Sequence, residues 1–253
     1  MISTLLSIIK IVFLLGLLIG IHETGHFLVA KLCKVKVNEF AIGFGPTIWK
    51  KQKNNTEYEL RLIPLGGFVR MEGEEERSEE EGSFSKASIP KRIAIVAAGA
   101  IVNIVFAIIV YFILFATMIE IPDNTFTSKI NFAATETGEF VFTTIDGLRM
   151  LFTGQTSTAQ LIGPVGISEV VAQTQGIKEF IYMLAVISIS LGVTNLIPFP
   201  PLDGGKILLL IIEAIRKKPL KEETEIKIQL LGFAILIVLA LVVTYQDIIK
   251  IIH

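Results

Sequence analysis

Hydrophobic positions along the chain gather into four long runs separated by polar stretches, and these runs set the expected architecture. The stretches 5–31, 92–119, 180–199 and 229–249 are each long enough to cross about 30 Å of hydrocarbon as helices rising about 1.5 Å per residue. Between the first two runs the pattern changes. Val37 to Trp49 contains Gly43-Phe44-Gly45-Pro46, Tyr58-Glu59-Leu60-Arg61-Leu62-Ile63 alternates with period two, and Pro64-Leu65-Gly66-Gly67-Phe68-Val69-Arg70-Met71 follows. Short alternating segments punctuated by glycine and proline predict a β-hairpin over 37–71. Its apolar content directs it toward the membrane, where non-helical backbone is tolerated only against protein or water. A hairpin lining a cavity and an ordinary surface hairpin both fit that pattern. Residues 72–83, dominated by Glu74, Glu75, Glu76, Glu79, Glu80 and Glu81, predict a flexible solvated loop without chemistry. The stretch 120–177 is mixed: Phe140 to Thr144 predicts a strand, whereas Gly147–Phe152 and Ser157–Ala172 predict interfacial or re-entrant helices. No part of it has room for an independent domain of ordinary size.

The expected fold is therefore an all-α polytopic membrane protein, a single domain over 1–253 with four transmembrane helices and a small membrane-associated β-hairpin on the cytoplasmic side. Charge supplies the orientation. Lys and Arg number twelve from Lys31 to Arg92, three (Lys129, Arg149, Lys178) before the third run, and six from Lys206 to Lys227. The positive-inside rule then puts the first and last connections in the cytoplasm, with both termini and the middle segment outside the cell membrane. Composition agrees: 52% of the 253 residues are hydrophobic and the mean hydropathy is +0.66. The net charge of -1 gives no signature of a nucleic-acid partner. Cys33 is alone, so it forms no internal disulfide, and its place beside Lys31 and Lys34 fits a reducing, cytosolic face. The first run is too long for a signal-peptide core and lacks a cleavage pattern, so it is expected to be retained.

That first run carries His22-Glu23-Thr24-Gly25-His26, with Lys10 its only earlier charge. Ionisable side chains at membrane depth are costly and point to function. Histidines four apart on a helix are rotated by about 40° and offset by about 6 Å, so both rings can face one ion. Glu23 stands where it can act on a metal-activated water rather than on the metal. Two of only three histidines fall in this motif, the third being His253. Catalytic zinc takes three protein ligands, and Asp203 is the best-placed third. It follows Asn195-Leu196-Ile197-Pro198-Phe199-Pro200-Pro201-Leu202, whose prolines break the third run at similar depth. A helix cap for the segment from Lys206 is the competing role for Asp203. Zn2+ held this way would polarise a peptide carbonyl and acidify water, with Glu23 taking the proton and returning it to the leaving amine. Asn195 or Asn103 could donate to the oxyanion, although Asn103, beside Ala98-Gly99-Ala100, reads first as glue between helices and second as part of a substrate cleft. A metal transporter or sensor is the alternative from another class, and Glu23 weighs against it because transport needs no base beside the first ligand. A catalytically silent binder of membrane helices is the third reading, and the intact His22, Glu23, His26 and Asp203 set weighs against that one.

Together the His22 to His26 motif, Gly43-Phe44-Gly45, Pro64 to Met71, Gly163-Pro164-Val165-Gly166-Ile167 and Asn195 to Gly205 resemble the site-2 protease family of intramembrane zinc metalloproteases, most nearly its regulator-of-sigma-E-protease branch. The resemblance spans nearly the whole chain. It implies His22, His26 and Asp203 as zinc ligands, Glu23 as general base, and a site open to the cytoplasm. It also implies that the hairpin around 57–71 presents an edge strand to an unwound substrate helix. Asn195, Pro198 and Pro200 match the segment that accommodates substrate, and Gly43, Gly45 and Asn103 are carried with them as substrate-facing positions. The implied partners are single-pass membrane proteins, such as anti-sigma factors already cut by a site-1-type protease, or remnant signal peptides. Two departures stand out. The branch usually carries PDZ domains between the second and third spans, and 120–146 is too short for one, so this is either a naturally minimal member or a chain from which that domain has been removed. Ala100 also stands where a proline commonly follows the glycine of the second-span motif.

Overall fold

The computed structural model describes residues 2–120, 125–153 and 164–252. In chain order the elements are α1 (Ile2–Leu32), β1 (Val37–Lys53), β2 (Thr56–Met71), α2 (Ile89–Thr117), α3 (Phe126–Phe152), α4 (Pro164–Gln173), α5 (Ile177–Asn195), α6 (Asp203–Arg216) and α7 (Glu222–Ile252). Among the described residues four helices are long and apolar enough to cross a membrane: α1, α2, α5 and α7. They coincide with the four hydrophobic runs. Phe13, Leu28, Ile109, Ile113, Leu230 and Val238 are exposed on them, a costly arrangement in water and a favourable one against lipid.

The chain divides into two compact units. The first comprises Val12–Asn103 and Leu191–Ile235. In it β1 and β2 form one sheet, turned at Asn54 and Asn55, which both adopt positive φ as a tight hairpin turn requires. Pairing runs from Lys53 with Thr56 to Trp49 with Leu60. β1 then bends at Gly43 (φ 94°), where a Cβ would lie 2.8 Å from the Ile63 carbonyl oxygen. Beyond the bend, residues 39–42 are paired on both sides, with 57–60 and with 67–70. Packing of Ala30, Val35, Val37, Met71, Phe84, Ile95, Val96 and Leu210 joins the end of α1 to the sheet, α2 and α6.

The acidic stretch differs from the free loop expected. Lys206 Nζ donates to Glu74 Oε1 at 2.6 Å, Asn38 to Glu72 at 2.9 Å and Lys36 to Glu80 at 3.0 Å, while Arg77 bonds the Leu220 carbonyl. Ser83 and Phe84 are buried. A run of like charge is held here because the cations that neutralise it sit on other elements, which a local reading of charge does not reveal.

The second unit comprises Met1–Ile11, Ile104–Ser190 and Leu236–His253. Its α3 corrects the strand expected over Phe140 to Thr144. Phe140 stacks on Tyr111 of α2 with ring centroids 4.2 Å apart, and Phe132, two turns earlier, meets Phe115 at 5.7 Å. The apolar face recurs at Phe132, Ala133, Thr137, Phe140 and Thr144, a helical period, and packing on that face overrides the β-propensity of the Phe-Val-Phe run. Gly147–Phe152 continues the same helix. Of the helix expected over Ser157–Ala172, residues 157–163 lie outside the described residues and the remainder is α4.

Candidate metal centre

Two glycines let α1 and α2 approach to backbone contact. A Cβ on Gly25 would fall 2.6 Å from the Ala98 carbonyl oxygen and 3.0 Å from Gly99 Cα. On the facing helix, a Cβ on Gly99 would collide with His26 Nε2 and lie 2.8 Å from His22 Cε1. The imidazoles therefore occupy the space these glycines leave. One helical turn apart, the two rings stand edge to face with centroids 4.8 Å apart.

The proline break brings the third group. After α5 ends at Asn195, residues 196–202 fold back over the start of α6. Gly204 is required there because a Cβ would meet the Leu196 and Ile197 carbonyl oxygens. Asp203 is the first residue of α6, and the helix is preceded by Leu202 with no side-chain capping bond. The carboxylate is thus spared the capping role and turns to the imidazoles. Its Oδ2 lies 3.2 Å from His22 Nε2 and 3.5 Å from His26 Nε2, and the two Nε2 atoms are 3.2 Å apart.

This triangle fits zinc. Ligands about 2.0–2.1 Å from a tetrahedral zinc are separated by about 3.3 Å, close to all three measured edges. The donors are two imidazole nitrogens and a carboxylate oxygen, a set that suits Zn2+ and leaves a fourth position for water or substrate. His26 is oriented from behind, its Nδ1 lying 2.9 Å from the Ile95 carbonyl oxygen. Donation from Nδ1–H to that oxygen leaves the Nε2 lone pair directed at the triangle.

The remaining residues of interest occupy several places. Glu23 is half-buried beside the sheet, where a Cβ on Gly67 would lie 3.1 Å from its Cγ. Asn103 is fully buried, its amide 3.5 Å from His22 Nδ1. Asn195 closes α5, Pro198 is exposed, and Pro200 packs its carbonyl against Gly232 of α7. Gly43 and Gly45 form the bend in β1. The Ile95 carbonyl and Gly67 escaped the reading of the sequence for different reasons. A main-chain oxygen carries no residue-type signal, and Gly67 stood inside a motif whose contact with α1 is a tertiary fact.

The sequence matches peptidase family M50 over residues 10–239. The chain belongs to peptidase family M50. This M50 peptidase is 29% identical to a provisionally named zinc metalloprotease of Clostridium acetobutylicum, over 96% of this chain and 97% of that one. It is 26% identical to the zinc metalloprotease RasP of Bacillus licheniformis, over 96% of this chain and 98% of RasP. The first alignment runs over 330 positions and the second over 412, more than the 253 residues here, so both relatives carry residues without a counterpart in this chain. As an M50 peptidase in which four helices among the described residues are long and apolar enough to cross a membrane, it is a multi-pass membrane zinc metalloprotease of the site-2 type. Peptide hydrolysis thereby displaces the metal-transport and silent-binder readings.

Proposed function

We propose that the chain is an intramembrane endopeptidase in which His22, His26 and Asp203 hold zinc and Glu23 is the general base. The observation that carries this reading is the triangle of ligand atoms with edges of 3.2, 3.2 and 3.5 Å, drawn from α1 and from the start of α6. When bound, zinc supplies Lewis acidity toward a water and the scissile carbonyl. Glu23 takes a proton from the attacking water and delivers it to the leaving amine nitrogen. His26, held by the Ile95 carbonyl, keeps its donor atom in place throughout. The substrates are transmembrane segments of single-pass proteins, anti-sigma-factor-like or remnant signal peptides, shortened beforehand by a site-1-type protease. Segment 67–71, paired on one side with β1, offers its other edge to an extended substrate strand near Glu23. Asn195, Pro198 and Pro200 flank that strand, with Gly43 and Gly45 shaping the bend behind it. The active site opens to the cytoplasmic face of the cell membrane, both termini lie outside, and 1–253 acts as one protease domain without a PDZ module.

The test is cleavage of a model single-pass substrate in detergent, with bound zinc measured alongside. Glu23→Gln should abolish cleavage and keep the metal, whereas His22→Ala and Asp203→Ala should lose both. Full cleavage by Glu23→Gln would exclude Glu23 as the base.

A further inference from the structure

Three positions of α2 one turn apart, Ile95, Gly99 and Asn103, run along the two histidines of α1 in reverse order. Ile95 supplies the carbonyl that receives His26 Nδ1–H, and Gly99 makes room for both rings. Asn103 places its amide Nδ2 3.5 Å from His22 Nδ1, and exchanging the two isosteric amide atoms brings Oδ1 to the same place. His22 Nε2 faces Asp203 and His26, so it must carry a lone pair to hold a metal, and the proton must then reside on Nδ1. A neutral imidazole in that tautomer needs an acceptor at Nδ1. An amide offers oxygen and nitrogen in isosteric positions, and only the orientation with Oδ1 toward Nδ1 supplies one. The opposite orientation donates to Nδ1, moves the proton to Nε2 and disables the ligand.

We infer that Asn103 is the positioning residue for His22: its amide oxygen accepts Nδ1–H and fixes the ring with Nε2 toward zinc, as the Ile95 carbonyl does for His26. The inference rests on the zinc ligation proposed above. It replaces the substrate-facing or oxyanion role expected for Asn103 from the sequence, because a fully buried side chain behind the ligand ring has no exposed surface to offer a peptide. A helix-glue role is distinct as well, since glue would be indifferent to which amide atom faces the imidazole.

Asn103→Leu, which keeps bulk and removes the acceptor, and Asn103→Asp, which keeps the acceptor, separate these roles in the purified full-length chain. Zinc affinity is read by competition with a chromophoric chelator, the ligand field from the absorption spectrum of the cobalt-loaded chain, and kcat and KM from a model transmembrane substrate. The Leu variant should bind zinc about 10- to 100-fold more weakly and show an altered cobalt spectrum. Its kcat should fall at unchanged KM, and Asn103→Asp should recover most of the affinity. Unchanged affinity and spectrum with a raised KM would overturn the inference in favour of substrate contact. Equal losses in both variants, with earlier thermal unfolding of the metal-free chain, would overturn it in favour of packing. One measurement needs no variant: the zinc-loaded wild type with nitrogen-15-labelled histidine should show His22 protonated at Nδ1, and a proton at Nε2 would refute the assignment. A wild type that binds zinc without cleaving any substrate would fail the protease reading while leaving these zinc measurements decisive.

Discussion

The proposed metal site depends on two residues without side chains as much as on the three with donor atoms. Gly99 and Gly25 face each other across the same helix crossing, but a methyl group added at each meets different atoms. At Gly99 it strikes the imidazoles of His26 and His22, whereas at Gly25 it strikes the Ala98 carbonyl and the Gly99 backbone. Gly99→Ala should therefore displace the ligands and weaken zinc binding at least 10-fold in a chelator competition. Gly25→Ala should separate the helices and lower stability by about 1–3 kcal/mol, read from thermal unfolding of the metal-free chain. A Gly99→Ala variant with wild-type zinc affinity would show that the rings have room to withdraw. At this scale the sequence offered the candidates, and the structure brings three of them, His22, His26 and Asp203, together. His22, Glu23 and His26 declare themselves by spacing within an apolar helix, and Asp203 by the proline break before it. What orients the rings was hidden, since one partner is a backbone carbonyl and the other an asparagine with several plausible uses.

Among the elements, α4 shows how a short helix is fixed at both ends. Its N-terminal amides and C-terminal carbonyls need partners, and two charged side chains supply them. Asp247 of α7, itself buried, accepts from the Gly166 N–H at 2.9 Å in the first turn, and Lys10 of α1 donates to the Thr174 carbonyl at 2.7 Å just past the last turn. The negative group meets the positive end of the helix dipole and the positive group its negative end. Asp247→Asn and Lys10→Met should each speed hydrogen exchange across the α4 amides, with a loss of about 1 kcal/mol or somewhat more in local stability. Unaltered exchange in both would mean that α4 is held by apolar packing alone. The same dependence on distant partners explains the two departures from the sequence reading. The Phe140 to Thr144 stretch became helix because Tyr111 stacks on Phe140, and the acidic stretch is tied down because Lys206, Lys36 and Arg77 reach it or extend from it. Hydrophobic runs of membrane length needed no such help, which is why all four spans were visible beforehand.

For the whole molecule, the centre links parts of the chain about 180 residues apart, since His22 lies in α1 and Asp203 opens α6. A ligand that binds only the folded arrangement stabilises it by mass action, by about 2.7 kcal/mol when its free concentration is 100 times its dissociation constant. In the unfolded chain His22 and His26 are still neighbours, but closing the loop to Asp203 carries an entropy cost that grows with the logarithm of its length. Zinc affinity should therefore fall sharply on unfolding, and most of the binding energy should reappear as stability of the folded state. Chelation should abolish cleavage and lower the apparent midpoint of thermal unfolding, with the midpoint rising again as free zinc is restored. In Asp203→Ala that dependence should flatten, because the two histidines left behind share one helical turn and cross-link nothing distant. His22→Ala should behave likewise, whereas Glu23→Gln should retain the full zinc dependence despite losing activity. If Asp203→Ala kept a wild-type zinc shift, the stabilising metal would be bound elsewhere, and the triangle would lose its claim to be the site that joins α1 to α6.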